Sequence, residues 1–312
     1  MQSVQSVPSK PLLLLTLIVS LVGCQWGGAA SGDELGESPF VPLPDAEPQT
    51  MGYFMAQYAK SLKQWHNLKL TAKKEAELRR LNAIERSLQK RSNDRLEELL
   101  DVLLIGSTIN RQTAAMALGF SADMRAMGPL LNTLNDPDQR VVQNALTGLG
   151  LLGLPDTPTD TIASYLINHP DPWTRSNAAF ALQCIVSSRP GGEKDAELAE
   201  ECRDALIDEE PGVRAQCASV LGILRDPDAI IPLSDLLYDE VNLVSAAAAT
   251  SLSYIGRHEM KSKGLAAREL VDSLDRLKDR RREVVLRELA LLSDRHYGEK
   301  SEDWREWAYR LP

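Results

Sequence analysis

A nine-residue phrase returns six times along this chain and limits what it can fold into more than any other feature. RQTAAMALG starts at Arg111, RVVQNALTG at Arg140, RSNAAFALQ at Arg175 and RAQCASVLG at Arg214. A weaker SAAAATSLS starts at Ser245 and REVVLRELA at Arg282, so successive starts lie 29, 35, 39, 31 and 37 residues apart. A period in the thirties is the length of two short helices and their turns. Such a unit cannot hide its apolar face alone, so neighbours must stack to build a shared core. The eighth position is Leu118, Leu182, Leu221, Leu252 and Leu289, with Thr147 the exception. Alanines at 114, 115, 117, 145, 178, 179, 181, 215, 218 and 246–249 keep part of each helix narrow. Adjacent helices can then approach near the short end of the usual ~8–10 Å. Aromatics are only 5% of the 312 residues, so the core must be aliphatic.

The punctuation agrees with stacked helix pairs. Asp136-Pro137-Asp138, Asp171-Pro172 and Glu210-Pro211-Gly212 precede the second, third and fourth phrases. Proline is tolerated at a helix start, where its missing N–H has no partner to lose, and an acidic neighbour suits the positive end of the helix. Partner helices are expected near 125–134, 160–167, 196–207, 229–238 and 266–277, with Leu224 to Asp228 joining two helices of one unit. The fold class expected is all-α: an α-solenoid of antiparallel helix pairs over 95–295.

These phrases resemble HEAT repeats, especially the short bacterial type found in the family that includes phycobiliprotein lyases. An acidic residue and Pro, then Arg, then spaced Ala and Leu-Gly, are seen in EEPGVRAQCASVLG from Glu209, DPDQRVVQNALTGLG from Asp136 and DPWTRSNAAFALQ from Asp171. The resemblance implies that Arg140, Arg175 and Arg214 are structural positions bonding to neighbouring loops. It also leaves two functions to compare, a non-catalytic scaffold or assembly factor and a lyase-like or other groove-based enzyme or ligand-attachment factor.

The first 23 residues read as an address. Pro11 to Gly23 is an uncharged, largely apolar run preceded by the single basic Lys10. It is short of the ~20 residues needed to cross a bilayer and fits the centre of an export signal. Leu21-Val22-Gly23-Cys24 resembles the lipobox of bacterial lipoproteins, which implies cleavage before Cys24 and acylation of that residue, palmitate included. With Gln25 rather than Asp next, the resemblance implies the outer membrane, facing the periplasm. Residues 24–50 hold glycines at 27, 28, 32 and 36 and prolines at 39, 42, 44 and 48, the composition of a tether.

Residues 51–94 form a basic helical arm. Phe54, Tyr58, Leu62, Trp65 and Ala72, continued by Leu78, Leu81, Ile84 and Leu88, mark one helical face, with a break expected near Leu70-Thr71. Between Lys60 and Arg95 there are eleven basic and four acidic residues, whereas 96–312 carries 23 basic and 35 acidic. The stripe argues for packing onto the first repeats. The charge argues for an anionic lipid, polymer or protein, with Lys60, Lys63, Trp65, Arg79 and Arg80 as candidate partner-binding residues. Export and a net charge of -9 disfavour nucleic acid. Residues 296–312 end in Trp304 and Trp307, three apart and so on one helical face, read as a cap over the last repeat.

Chemistry is sparse. His66, His169, His258 and His296 make no close metal-ligand spacing, and no CxxC, phosphate loop, GxSxG or HExxH is present. No metal, cofactor or catalytic residue is assigned. Beyond Cys24 stand Cys184, Cys202 and Cys217, so at least one thiol stays unpaired within the chain. Cys184 and Cys217 read as small buried groups, and a Cys184–Cys202 bridge is a candidate. The expected partner is an envelope protein, with the membrane engaged through lipid on Cys24.

Overall fold

The computed structural model describes residues 50–189 and 195–312. The segments read as an export signal and a tether, Cys24 with them, lie outside the described residues, as do residues 190–194. Among those described there are fifteen α-helices and no strand. The arm is α1 (Met51–Thr71) and α2 (Glu75–Asp94). Six pairs follow: α3 (Leu96–Ile105) with α4 (Thr108–Gly119), α5 (Met127–Thr133) with α6 (Gln139–Leu152), and α7 (Asp160–Asn168) with α8 (Pro172–Ser188). Then come α9 (Ala196–Asp204) with α10 (Pro211–Leu224), α11 (Ile230–Asp235) with α12 (Asn242–His258), and α13 (Lys263–Ser273) with α14 (Asp279–Ser293). The chain closes with α15 (Ser301–Ala308).

The Ala-rich helices α4, α6, α8, α10, α12 and α14 pack serially, each on the next, while the shorter helices form a second row. Up to α11 each short helix packs chiefly on the Ala-rich helix that follows it, and α11 sits on α12; α13 packs more on α12 before it than on α14 after it. The unit therefore begins one helix earlier than the expectation that joined α10 to α11. The reason is local. Arg225 ends α10 in the left-handed region (φ 56°) and sends the chain to the next unit, while Asp208 and Glu210 make a tight turn from α9 into α10.

Side-chain caps start these helices as the acidic punctuation requires. Asp138 accepts the N–H of Val141, Asp171 that of Thr174, and Glu210 that of Gly212. The caps of the six Ala-rich helices are Ser107, Asp138, Asp171, Glu210, Val241 and Lys278. Counted from them, the position four residues on is Arg111, Val142, Arg175, Arg214, Ser245 and Arg282. The second phrase thus runs two residues later than its Arg suggested. Thr147 ceases to be an exception, because Leu149 holds the Leu position.

Between α4 and α6 backbone approaches backbone closely. A Cβ on Gly148 would stand 2.5 Å from the Ala115 carbonyl oxygen, and one on Gly119 would stand 2.7 Å from Gly148. The obstacle is backbone, which no rotamer change relieves. Gly148→Ala is expected to lower stability by about 1–3 kcal/mol, even though alanine favours helix by up to ~1 kcal/mol. Gly128, with open space around its missing Cβ, is the control. In a urea titration of both variants, Gly128→Ala should leave stability unchanged or slightly raised.

Candidate interaction surface

Three inter-unit clamps hold the turns along one edge of the stack. Arg111 grips Asp136 at 2.8 and 3.0 Å and the Gly106 carbonyl at 3.0 Å. Arg175 grips Asp208 at 2.7 and 3.0 Å and the His169 and Pro170 carbonyls. Arg214 grips Asp239 at 2.8 and 3.1 Å and the Asp208 and Glu209 carbonyls. Each guanidinium joins the turn of its own unit to the turn of the next, with a bidentate fork that lysine could not reproduce. Each Asp also accepts a backbone N–H at its own turn, from Asp138, Glu210 or Val241. Burial pushes the Asp136 carboxyl up, but Arg111 and the Asp138 N–H outweigh it and hold it below the ordinary range.

Arg140 takes no part. It is exposed, two residues past its cap, and joins no ion pair among the described residues. Arg111, which the repeat comparison left out, has the role instead. The pattern was available in the sequence: an Arg four residues after one cap meets an Asp two residues before the next. Where the Arg is missing, at Val142 and Ser245, the opposing position holds His169 and Arg276 rather than Asp. Gln143 bonds Asp171 and Thr174 across the first gap. Thr250 and Ser253 bond Glu288 across the second.

The arm packs on the body. Tyr58 bonds Ser92 at 2.7 Å, and Ser92 in turn donates to the Ala117 carbonyl of α4. The Trp65 ring meets Phe120 edge-on at 5.2 Å, and its Nε1 donates to Glu85 at 3.0 Å. Trp65 is only 2% exposed, so with the arm in place it cannot meet a partner as the sequence reading allowed. Arg91 lies over the Phe54 and Tyr58 rings. The remaining candidates face outward. Lys60, Lys63 and Arg80 are exposed with no ion pair among the described residues, while Arg79 pairs with Glu75 on an open face.

A second surface lies on the face of the Ala-rich helices turned away from the short helices. Equivalent positions near their C-terminal ends are Phe120, Leu151, Cys184, Ile223 and Tyr254, all half-buried. Phe180 stands one turn before Cys184 and is half-buried too. The end of α1 reaches this row: Trp65 touches Phe120, and the Lys69 ammonium acts on the Cys184 thiol. Burial outweighs that cation and pushes the thiol up to about 12. Phe180, Ile223 and Tyr254 extend beyond the arm.

Two further places gather charged or aromatic side chains. An open cleft is lined by Pro155–Asp160, Arg189 and Asp195–Glu197. Among the described residues its one cation is Arg189, which bonds Asp195 and the Pro155 carbonyl and so ties two loops together. At the far end Trp304 is fully buried, donates to the Gly298 carbonyl at 2.9 Å and meets Tyr297 and Trp307 edge-on. Arg305 and Tyr309 fasten α15 to Asp275 and Asp272 of the preceding unit. Trp304 and Trp307 thus close the stack. Among the described residues no group of three or more His, Cys, Asp or Glu is placed to hold a metal, and no helix is long and apolar enough to cross a membrane.

Residues 159–253 match the family model for HEAT repeats. No curated protein matches the chain. Among solved structures, an engineered protein is 19% identical, with 64% of this chain and 96% of that one covered, at a TM-score of 0.47. The complex of CpcE and CpcF of phycocyanin lyase from Nostoc sp. PCC7120 is 17% identical over 84% and 99% of the two chains, with a TM-score of 0.39. Human deoxyhypusine hydroxylase in complex with glycerol is 17% identical over 78% and 99%, with a TM-score of 0.35. The repeat match and the serial packing of α4 to α14 together make this chain an all-α solenoid of HEAT-like repeats.

Proposed function

We propose that the protein is a lipid-anchored scaffold or assembly factor of the bacterial envelope, binding a protein partner through its solenoid without catalysis. The observation that carries this reading is the half-buried row Phe180, Cys184, Ile223 and Tyr254, continuing beyond the edge of a basic arm. An apolar strip on the body, together with exposed Lys60, Lys63 and Arg80 on the arm, suits a partner with both apolar side chains and carboxylates. A Cys184 thiol pushed up to about 12 stays protonated at neutral pH and is a poor nucleophile, which favours binding over ligand attachment. The run from Pro11 to Cys24 supports the anchor and the envelope, with the outer membrane facing the periplasm as the proposed site.

Photoreactive residues placed at Ile223 and Lys63 in cells test the binding reading. Both should cross-link one and the same envelope protein. Ile231, exposed on the short-helix row, should not. Equal labelling from all three positions, or none from Ile223 and Lys63, would reject it. Cys24→Ser separately tests the anchor, with release of the protein from the membrane fraction expected.

A further inference from the structure

The turn that opens α14 reverses the charge of the body around it. Residues 276–283 hold five basic and two acidic side chains, whereas 96–312 as a whole carries 23 basic and 35 acidic. Arg276 stands two residues before the cap of α14, where other units place Asp136, Asp208 and Asp239 and pair each with an Arg. Arg276, Lys278 and Arg280 are exposed and join no ion pair among the described residues. Arg281 beside them is held, its Nη1 donating to the Asp239 carbonyl at 2.9 Å, and so fixes this turn to the preceding one.

These cations continue an apolar line. Ile207 and Tyr238 each stand three residues before the cap of their unit, Glu210 and Val241, so they follow one another along the edge that carries the clamps. They are 90% and 41% exposed. The Arg276 guanidinium lies 5.6 Å from the centre of the Tyr238 ring, which joins the two parts. Ile207, Tyr238, Arg276, Lys278 and Arg280 thus form one strip over three consecutive units, apolar at one end and cationic at the other. It lies at the N-terminal ends of the Ala-rich helices, whereas the row ending at Tyr254 lies near their C-terminal ends.

We infer that this strip binds an extended acidic segment of a second protein. An apolar side chain of that segment covers Ile207 and Tyr238, and its carboxylates meet Arg276, Lys278 and Arg280. Charge selects the acid, because cations without ion pairs gain most from carboxylates and a guanidinium grips them with a planar fork. The apolar end selects protein. A phosphate or a lipid headgroup has no apolar group to bury there, while Tyr and Arg are among the side chains that protein interfaces favour. Asp279 and Glu283, exposed among the cations, repel a uniformly charged chain but leave room for spaced carboxylates. Neighbouring helices ~8–10 Å apart match about three residues of extended chain. This inference does not rest on the proposed anchor or on the row of Phe180, Ile223 and Tyr254.

The test uses a synthetic peptide of Glu and Ser with one photoreactive benzoylphenylalanine, irradiated with the full-length protein and mapped by mass spectrometry. Labelling within 205–210 and 236–241 is expected, falling as salt rises. Lys278→Glu with Arg280→Glu should reduce that labelling at least about tenfold. The Lys278 side chain makes no cap bond, so this variant should keep the wild-type circular dichroism and melting temperature. Lys60→Glu with Lys63→Glu, on the arm, should leave labelling at the turns unchanged. Labelling confined to the row around Ile223 and Tyr254 would overturn the inference while leaving the proposed function standing. Unchanged labelling in the Lys278 and Arg280 variant would also overturn it. So would its abolition by inorganic tripolyphosphate or phosphatidylglycerol vesicles at equal charge, which would mark a site for anions in general.

Discussion

Arg214→Ala is expected to destabilise the stack by roughly 3 kcal/mol, between the ~0–1 kcal/mol of exposed ion pairs and the ~3–5 kcal/mol of broken buried ones. The side chains of Arg214 and Asp239 are 11% and 8% exposed, so deletion of the cation strands a nearly buried carboxylate. The Asp208 and Glu209 carbonyls lose a donor as well. Urea titration followed by far-ultraviolet circular dichroism gives the loss, and a double-mutant cycle with Asp239→Asn isolates the pair. The double mutant should be less damaged than the sum of the single changes. Arg140→Ala, removing an exposed side chain at a similar place in its phrase, should fall within about 0.5 kcal/mol of wild type. An equal cost at Arg140 and Arg214 would refute the shifted register.

Trp65→Ala should cost about 3–5 kcal/mol, the range for emptying a buried tryptophan site. The loss falls on the contact between α1 and Phe120, so the arm should loosen before the stack unfolds. Limited proteolysis should then cut at 72–74, between α1 and α2, and hydrogen exchange should quicken across both helices. Tyr53→Ala, at a residue 52% exposed on the same helix, should do neither. Unchanged exchange in Trp65→Ala would mean that the arm holds itself together without the body.

The repeating architecture was legible because the physics that builds it is local. Ala-rich phrases, acidic caps and Pro-marked turns each specify a helix or its start within a few residues. What was hidden concerned relations between elements. The Arg140 phrase was misplaced by two residues because its Arg drew the eye from the cap at Asp138, which sets the register. The apolar stripe through Phe54, Tyr58 and Trp65 required a buried face but did not say which surface would cover it. Likewise, the connection between Cys184 and Cys202 suggested a bridge, while the structure packs α9 on α10 and leaves both thiols free. The row from Phe120 to Tyr254 is legible only once every helix is aligned on its cap, since its members share no residue type.

The distribution of the guanidinium clamps gives the molecule uneven stiffness. They join α4 to α6, α8 to α10 and α10 to α12. Between α6 and α8, and again between α12 and α14, side-chain hydrogen bonds stand in their place. A bending load along the superhelix should concentrate at those two joints, as in a chain of three stiff links. The middle link, α7 to α12, contains Phe180, Ile223 and Tyr254, so a bound segment there would meet a preshaped bed while the ends swing to accommodate it.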